Sequence, residues 1–174
     1  WEKRAEVLSQ AAMNLEKAGA DFIVICTNTM HKVAPKIQSH ISIPIIHIAE
    51  ATADELIKRG ISRVALLGTK YTMTQDFYKD KLLKAGIDVV IPDSTGIETV
   101  NDIIYKELCL GIISEESKKK YLEIISRLAE QGAQGVILGC TEIGLLIQQT
   151  DTSLPVFDTT RIHAIKAAEL SIED

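Results

Sequence analysis

Two short stretches of this chain read almost alike: Ile23-Val24-Ile25-Cys26-Thr27-Asn28-Thr29 and Val136-Ile137-Leu138-Gly139-Cys140-Thr141-Glu142. Each is an apolar run that stops at a cysteine and passes at once into polar side chains. Apolar runs of this length, bounded by glycine or polar residues, read as buried strands of a parallel sheet. Ligands of open parallel sheets bind beyond the carboxyl ends of the strands. Both thiols are therefore expected where chemistry is done, and two such sites suggest two halves facing one ligand.

The rest of the chain alternates between helix and strand patterns. Ala5, Leu8, Ala12, Leu15 and Ala18 fall at helical spacing within residues 2–18, and Gly19 supplies the stop. Further strands are expected at 22–26, 43–48, 63–68, 88–91, 136–140 and 155–158. Helices are expected at 31–40, 49–59, 69–85, 97–109, 115–131, 142–149 and 160–172. Cys109 reads as a core residue on one of them. This alternation defines an α/β fold with parallel sheets. The 174 residues suffice for one domain or two small ones. The chain has no initiator Met and opens inside a helix, whereas an α/β domain normally opens with a strand. A preceding segment is therefore expected.

Charge and cysteine usage narrow the function classes. The net charge is −5, so no basic surface is expected for nucleic acid or anionic lipid. The Lys118-Lys119-Lys120 run reads as a solvated helix face. No apolar run approaches the roughly 20 residues that span a bilayer. The three cysteines are odd in number and far apart, which argues for a reducing compartment, the cytoplasm, and against a disulfide framework. There is no Cys-x-x-Cys or His-x-x-x-His pair, so no metal is expected. No Gly-x-Gly-x-x-Gly or P-loop occurs, and no cofactor is expected.

A thiol is a base or nucleophile only as thiolate, a form favoured by helix N-termini and nearby positive charge. Cys26 and Cys140 both sit at strand-to-helix junctions, where free backbone N–H groups point outward. Thr27, Asn28, Thr29, Thr69 and Thr141 add neutral donors suited to a carboxylate or a developing oxyanion. Two opposed thiols around one small acid suit a two-base reaction. One removes the α-proton from one face, and the other returns a proton to the opposite face. A cysteine hydrolase would instead need one Cys and a His-led triad. The structural alternative is that the thiols are merely buried, as free cysteines often are. The shared Cys-Thr at both strand ends sets the functional reading level with the structural one.

Four pieces carry a family resemblance. They are Cys26-Thr27-Asn28-Thr29-Met30-His31, Leu67-Gly68-Thr69 with Tyr71-Thr72-Met73, Gly139-Cys140-Thr141-Glu142, and Pro155-Val156-Phe157-Asp158-Thr159. Together, and in this order, they resemble the aspartate/glutamate racemase family, most of all its broad-specificity amino-acid racemase branch. The resemblance implies a cofactor-independent racemase of two similar α/β lobes with the site in the cleft between them. The first lobe would be 1–46 with 155–174 and would lack its leading strand; the second would be 47–154. Cys26 and Cys140 would be the catalytic acid/base residues. Thr27, Asn28, Thr29, Thr69, Thr141 and Glu142 would bind the substrate. His163 matches a histidine of the closing motif, with a site role or simple packing of the last helix both open. The family's opening strand and Gly-Gly-Met-like loop are not in this chain. Aspartate-specific members carry a basic residue at about Cys109, and the thiol here favours neutral side chains. The resemblance also allows a homodimer, which no stretch of this sequence proves. Aspartate racemase, a decarboxylase, a hydantoin racemase or a cis-trans isomerase on the same scaffold are the enzymatic alternatives. A non-catalytic small-acid binder is the other.

Overall fold

The computed structural model describes residues 1–172. Helix α1 (Glu2–Lys17) leads into β1 (Ile23–Val24), and a 3₁₀ turn (Thr29–Val33) runs directly into α2 (Ala34–Gln38). Strand β2 (Ile45–Ile46) pairs parallel with β1, matching Ile23 to Ile45 and Val24 to Ile46. Helix α3 (Ile48–Lys58) then leads to β3 (Arg63–Gly68), α4 (Lys70–Thr74), α5 (Asp76–Lys84) and β4 (Asp88–Val90). Helices α6 (Ser94–Lys106) and α7 (Glu115–Glu130), strand β5 (Val136–Gly139), strand β6 (Val156–Asp158) and α8 (Thr159–Ile172) complete the order. The larger sheet has the strand order β4-β3-β5-β6, all parallel. The α/β class and parallel sheets flanked by helices thus match the sequence reading.

Period-2 alternation decides which helix covers which face. Ala65, Leu67, Val136 and Leu138 face Val100, Ile103 and Ile104 of α6 and Tyr121, Ile124 and Leu128 of α7. Val64, Leu66, Ile137 and Phe157 face Ile48, Ala53 and Leu56 of α3 and Tyr78 and Leu82 of α5. Both faces are buried, which is why β3 and β5 read as unbroken apolar runs. A separate core lies under the small sheet, where Ala5 and Ala12 of α1 meet Ile23, Ile25, Val33 and Ile37.

Several boundaries differ from the sequence reading. The helix expected over 69–85 breaks at Gln75, whose ψ of 155° is extended. The helix expected at 97–109 starts earlier, because the Asp93 carboxylate caps it by accepting the Gly96 N–H at 2.7 Å. It also ends earlier, at Lys106. Cys109 is consequently not a core helix residue: it lies on a 3₁₀ turn, Leu108–Leu110, and is exposed, while Leu108 takes the buried position. The expected helix at 142–149 is two 3₁₀ turns, Ile143–Leu145 and Gln149–Asp151. Strand β6, grouped with the first lobe by sequence, hydrogen-bonds β5 in the larger sheet. Helix α8 runs back to the small sheet, where His163 Nε2 donates to the Ile46 carbonyl at 2.7 Å. No helix among the described residues is long and apolar enough to cross a membrane.

Candidate active site at the strand ends

The first thiol follows β1. Ile25 is buried, and the Thr27 N–H bonds back to the Ile25 carbonyl at 2.8 Å, closing an i to i+2 turn with Cys26 at its apex. Cys26 is exposed there. The Thr27 carbonyl in turn accepts from His31 Nδ1 at 2.8 Å. Asn28, by contrast, is only 2% exposed.

The second thiol follows β5. Gly68 and Gly139 are register partners at the ends of β3 and β5. A Cβ on Gly139 would stand 2.8 Å from the Leu67 carbonyl oxygen, and one on Gly68 would stand 2.9 Å from the Gly139 carbonyl oxygen. Only glycine lets the two strand ends close up this far, and the next residues are Thr69 and Cys140. Cys140 is half-buried, and its Sγ donates to Glu142 Oε2 at 2.9 Å. Thr141 Oγ1 donates to the same carboxylate oxygen at 2.7 Å. Burial first, then the hydrogen bond and charge of Glu142, push the Cys140 thiol up to about 12. Burial pulls the Glu142 carboxyl upward, but the donors Cys140 and Thr141 outweigh it and leave the group below its usual range. Cys140 is thus a protonated thiol held on an ionised carboxylate.

Hydrogen bonds tie the two thiol-bearing segments together. Asn28 Nδ2 donates to Thr159 Oγ1 at 3.0 Å, and Thr159 Oγ1 donates to the Leu138 carbonyl at 2.8 Å. A hydroxyl has one hydrogen, and that of Thr159 is used on Leu138, so its oxygen must accept from the amide. This fixes the Asn28 side chain: the NH₂ faces Thr159, and Oδ1 is left buried without a protein partner. A second bridge joins Thr29 Oγ1 to Thr69 Oγ1 at 3.3 Å. Thr69 caps α4 by accepting the Thr72 N–H at 3.3 Å.

Thr29 therefore meets Thr69, Asn28 meets Thr159, and Cys140, Thr141 and Glu142 form their own hydrogen-bonded group. His163 is buried, with Nε2 committed to Ile46. Three contributors escaped the site reading. Thr159 was visible only as the residue after the last strand. Tyr105 sits near the second thiol: burial, then the unfavourable interaction of its phenolate with the acidic groups Cys140, Cys109, Tyr71 and Glu142, raises its phenol. His31 stood in the Cys26 motif without an assigned part. A cavity of about 410 Å³ lies elsewhere, between α3, α8 and β6. Its charged lining, including Asp54, Arg59, Asp158 and Arg161, contains none of the sequence-predicted site residues and no thiol. The strand-end cluster is the better chemical candidate, because it joins acid–base groups to the unpartnered buried acceptor Asn28 Oδ1. Among the described residues, no group of three His, Cys, Asp or Glu is placed to hold a metal ion.

A family model described as Asp/Glu/hydantoin racemase matches residues 1–167. The broad-specificity amino-acid racemase RacX of Bacillus subtilis is 26% identical over 89% of this chain. The chain spans 66% of that relative's length. The solved structure of PH1733, an aspartate racemase homologue from Pyrococcus horikoshii, superposes with a TM-score of 0.90 at 42% identity, covering 99% of this chain and 76% of that one. A Yersinia pestis protein assigned to the Asp/Glu racemases superposes with a TM-score of 0.95 at 53% identity, with the same coverage. From strand-end thiols to whole-chain superposition, this chain belongs to the Asp/Glu/hydantoin racemase family.

Proposed function

We propose that the protein is a cofactor-independent amino-acid racemase in which Cys26 and Cys140 act as the two acid/base groups. The observation that carries this reading is the Asn28–Thr159–Leu138 hydrogen-bond bridge, which couples the residue two after Cys26 to the residue two before Cys140. The residues divide the work as follows. Asn28 Oδ1 accepts a hydrogen from the substrate ammonium, filling an acceptor that has no partner in the protein. The Thr29 and Thr69 hydroxyls hold the α-carboxylate, joined by Thr141 once its hydroxyl turns from Glu142, and together they steady the carbanion that forms at Cα. In one direction, the Cys26 thiolate takes the α-proton while Cys140 gives its own proton to the opposite face. Cys140 is left as thiolate, and Glu142 is the carboxyl through which a proton returns to it. The reverse reaction exchanges the two roles.

Neutral amino acids are the proposed substrates, with the broad-specificity racemase RacX as the precedent. Cys109, Tyr105 and Tyr71 lie toward the second thiol and offer a thiol and phenols to a substrate side chain. Residence in the cytoplasm goes with the three unpaired thiols. A homodimer is proposed on family membership alone. The test is α-proton exchange in deuterated water with a panel of L-amino acids and the full-length protein. Racemisation with exchange supports the reading. Binding of an amino acid without exchange would make the protein a small-acid binder instead.

A further inference from the structure

We infer that His31 is a positioning residue, which holds the Cys26 turn in place through the Thr27 carbonyl and does so in one fixed tautomer. This rests on Cys26 being the working thiol of the proposed reaction. The Thr27 peptide defines the turn from both ends: its N–H binds the Ile25 carbonyl, and its C=O binds His31 Nδ1. A carbonyl only accepts, so Nδ1 carries the hydrogen. The other ring nitrogen, Nε2, lies 3.2 Å from the backbone nitrogen of Ile48, at the start of α3, which only donates. Nε2 must therefore carry the lone pair, and both ring nitrogens are spent. His31 is 1% exposed, so no water replaces either bond.

Two further imidazoles prop the ring. His47 stands with its centroid 4.5 Å away, and its Nδ1 accepts the Ala49 N–H at 3.2 Å. His163 stands 5.6 Å away, with Nε2 on the Ile46 carbonyl. Both are titratable groups that face His31. Together the three rings join the Cys26 turn to β2, α3 and α8. A ring engaged at both nitrogens makes a stiff strut, whereas an amide side chain of either length satisfies only one of the two bonds.

That difference is the test. His31→Asn brings an amide NH₂ to the place of Nδ1 and keeps the Thr27 bond. His31→Gln brings a side-chain carbonyl to the place of Nε2 and keeps the Ile48 bond only. Turnover of the full-length protein should fall about 10²-fold in His31→Gln with KM unchanged, the loss expected for a reacting group misplaced by about 1 Å. His31→Asn should recover most of it. Equal losses in the two variants, or a loss confined to KM, would overturn the assignment. ¹⁵N NMR of His31 in the unaltered protein should show a neutral ring protonated at Nδ1, and protonation at Nε2 would overturn it whether or not the variants fold. A third arm separates this inference from the racemase reading. If the protein exchanges no α-proton, alkylation of Cys26, followed by peptide mass spectrometry, should still change rate in His31→Gln and not in His31→Asn. The same rate in all three proteins would refute the positioning role.

Discussion

The Asn28 amide and the Thr159 hydroxyl stand 3.0 Å apart across 131 residues of sequence, and this one contact fixes the orientation of the amide. Because Thr159 spends its hydrogen on Leu138, Asn28 can only donate to it. The free Oδ1 is then a built acceptor in a buried position. Thr159→Val removes the hydroxyl and keeps the shape. It leaves the Asn28 amide and the Leu138 carbonyl unpaired, which should cost about 2–4 kcal/mol in denaturant unfolding. An unchanged unfolding midpoint would show that the bridge carries no energy.

Each thiol should be needed. Cys26→Ser and Cys140→Ser should each lower racemisation by roughly 10²–10⁴-fold, the usual range for loss of a general acid or base. Cys109→Ser should leave turnover within a few-fold, because that thiol sits on the exposed Leu108–Leu110 turn and takes no proton in the proposed reaction. Chiral chromatography of the product mixture checks all three.

The carboxylate beside Cys140 sets the state of that thiol. Glu142→Gln removes a negative charge and a hydrogen-bond acceptor while leaving the burial. The Cys140 thiol should then titrate below about 12 and yet stay above the ordinary thiol value of 9.0. Ultraviolet thiolate absorbance against pH measures this. A thiol that titrates higher in the variant would reverse the assigned donor and acceptor.

Acid should destabilise the fold through the histidines. Burial, followed by the charge of His163, overrides the Thr27 hydrogen bond and lowers His31 from 6.5 to about 4. His47 is lowered to about 3, again by burial first. A lowered histidine stays neutral in the native state while its unfolded counterpart takes a proton. Stability is therefore full above about pH 6.5 and falls as pH drops toward about 4. Each such histidine removes about 1.4 kcal/mol per pH unit across that window. Replacing His47 by Gln should flatten the slope measured by urea unfolding at stepped pH, and an unaltered slope would contradict the neutral cluster.

Much of the layout was legible because burial on both faces writes itself as an apolar run. Arg63–Gly68 and Val136–Gly139 were found to the residue or within one. The small sheet was overdrawn: the expected strand at 22–26 reduces to Ile23–Val24, because Cys26 leaves the extended chain to form its turn. Helix ends depended on single hydrogen bonds, such as Asp93 to Gly96, that periodicity does not encode. At the site, residue types were readable and pairings were not. Cys140-Thr141-Glu142 are neighbours in sequence, so their grouping was visible. Asn28 with Thr159 and His31 with Ile48 meet only after the chain has folded back on itself.

The central claim is that two thiols handle the proton from opposite faces of one carbon. Early-time mass spectrometry of an L-amino acid turning over in deuterated water tests it most directly. Two bases predict D-product carrying one deuterium at Cα while the remaining L-substrate is still protiated. Deuterium appearing equally fast in both enantiomers would mean that a single base serves both faces, and the account would fail.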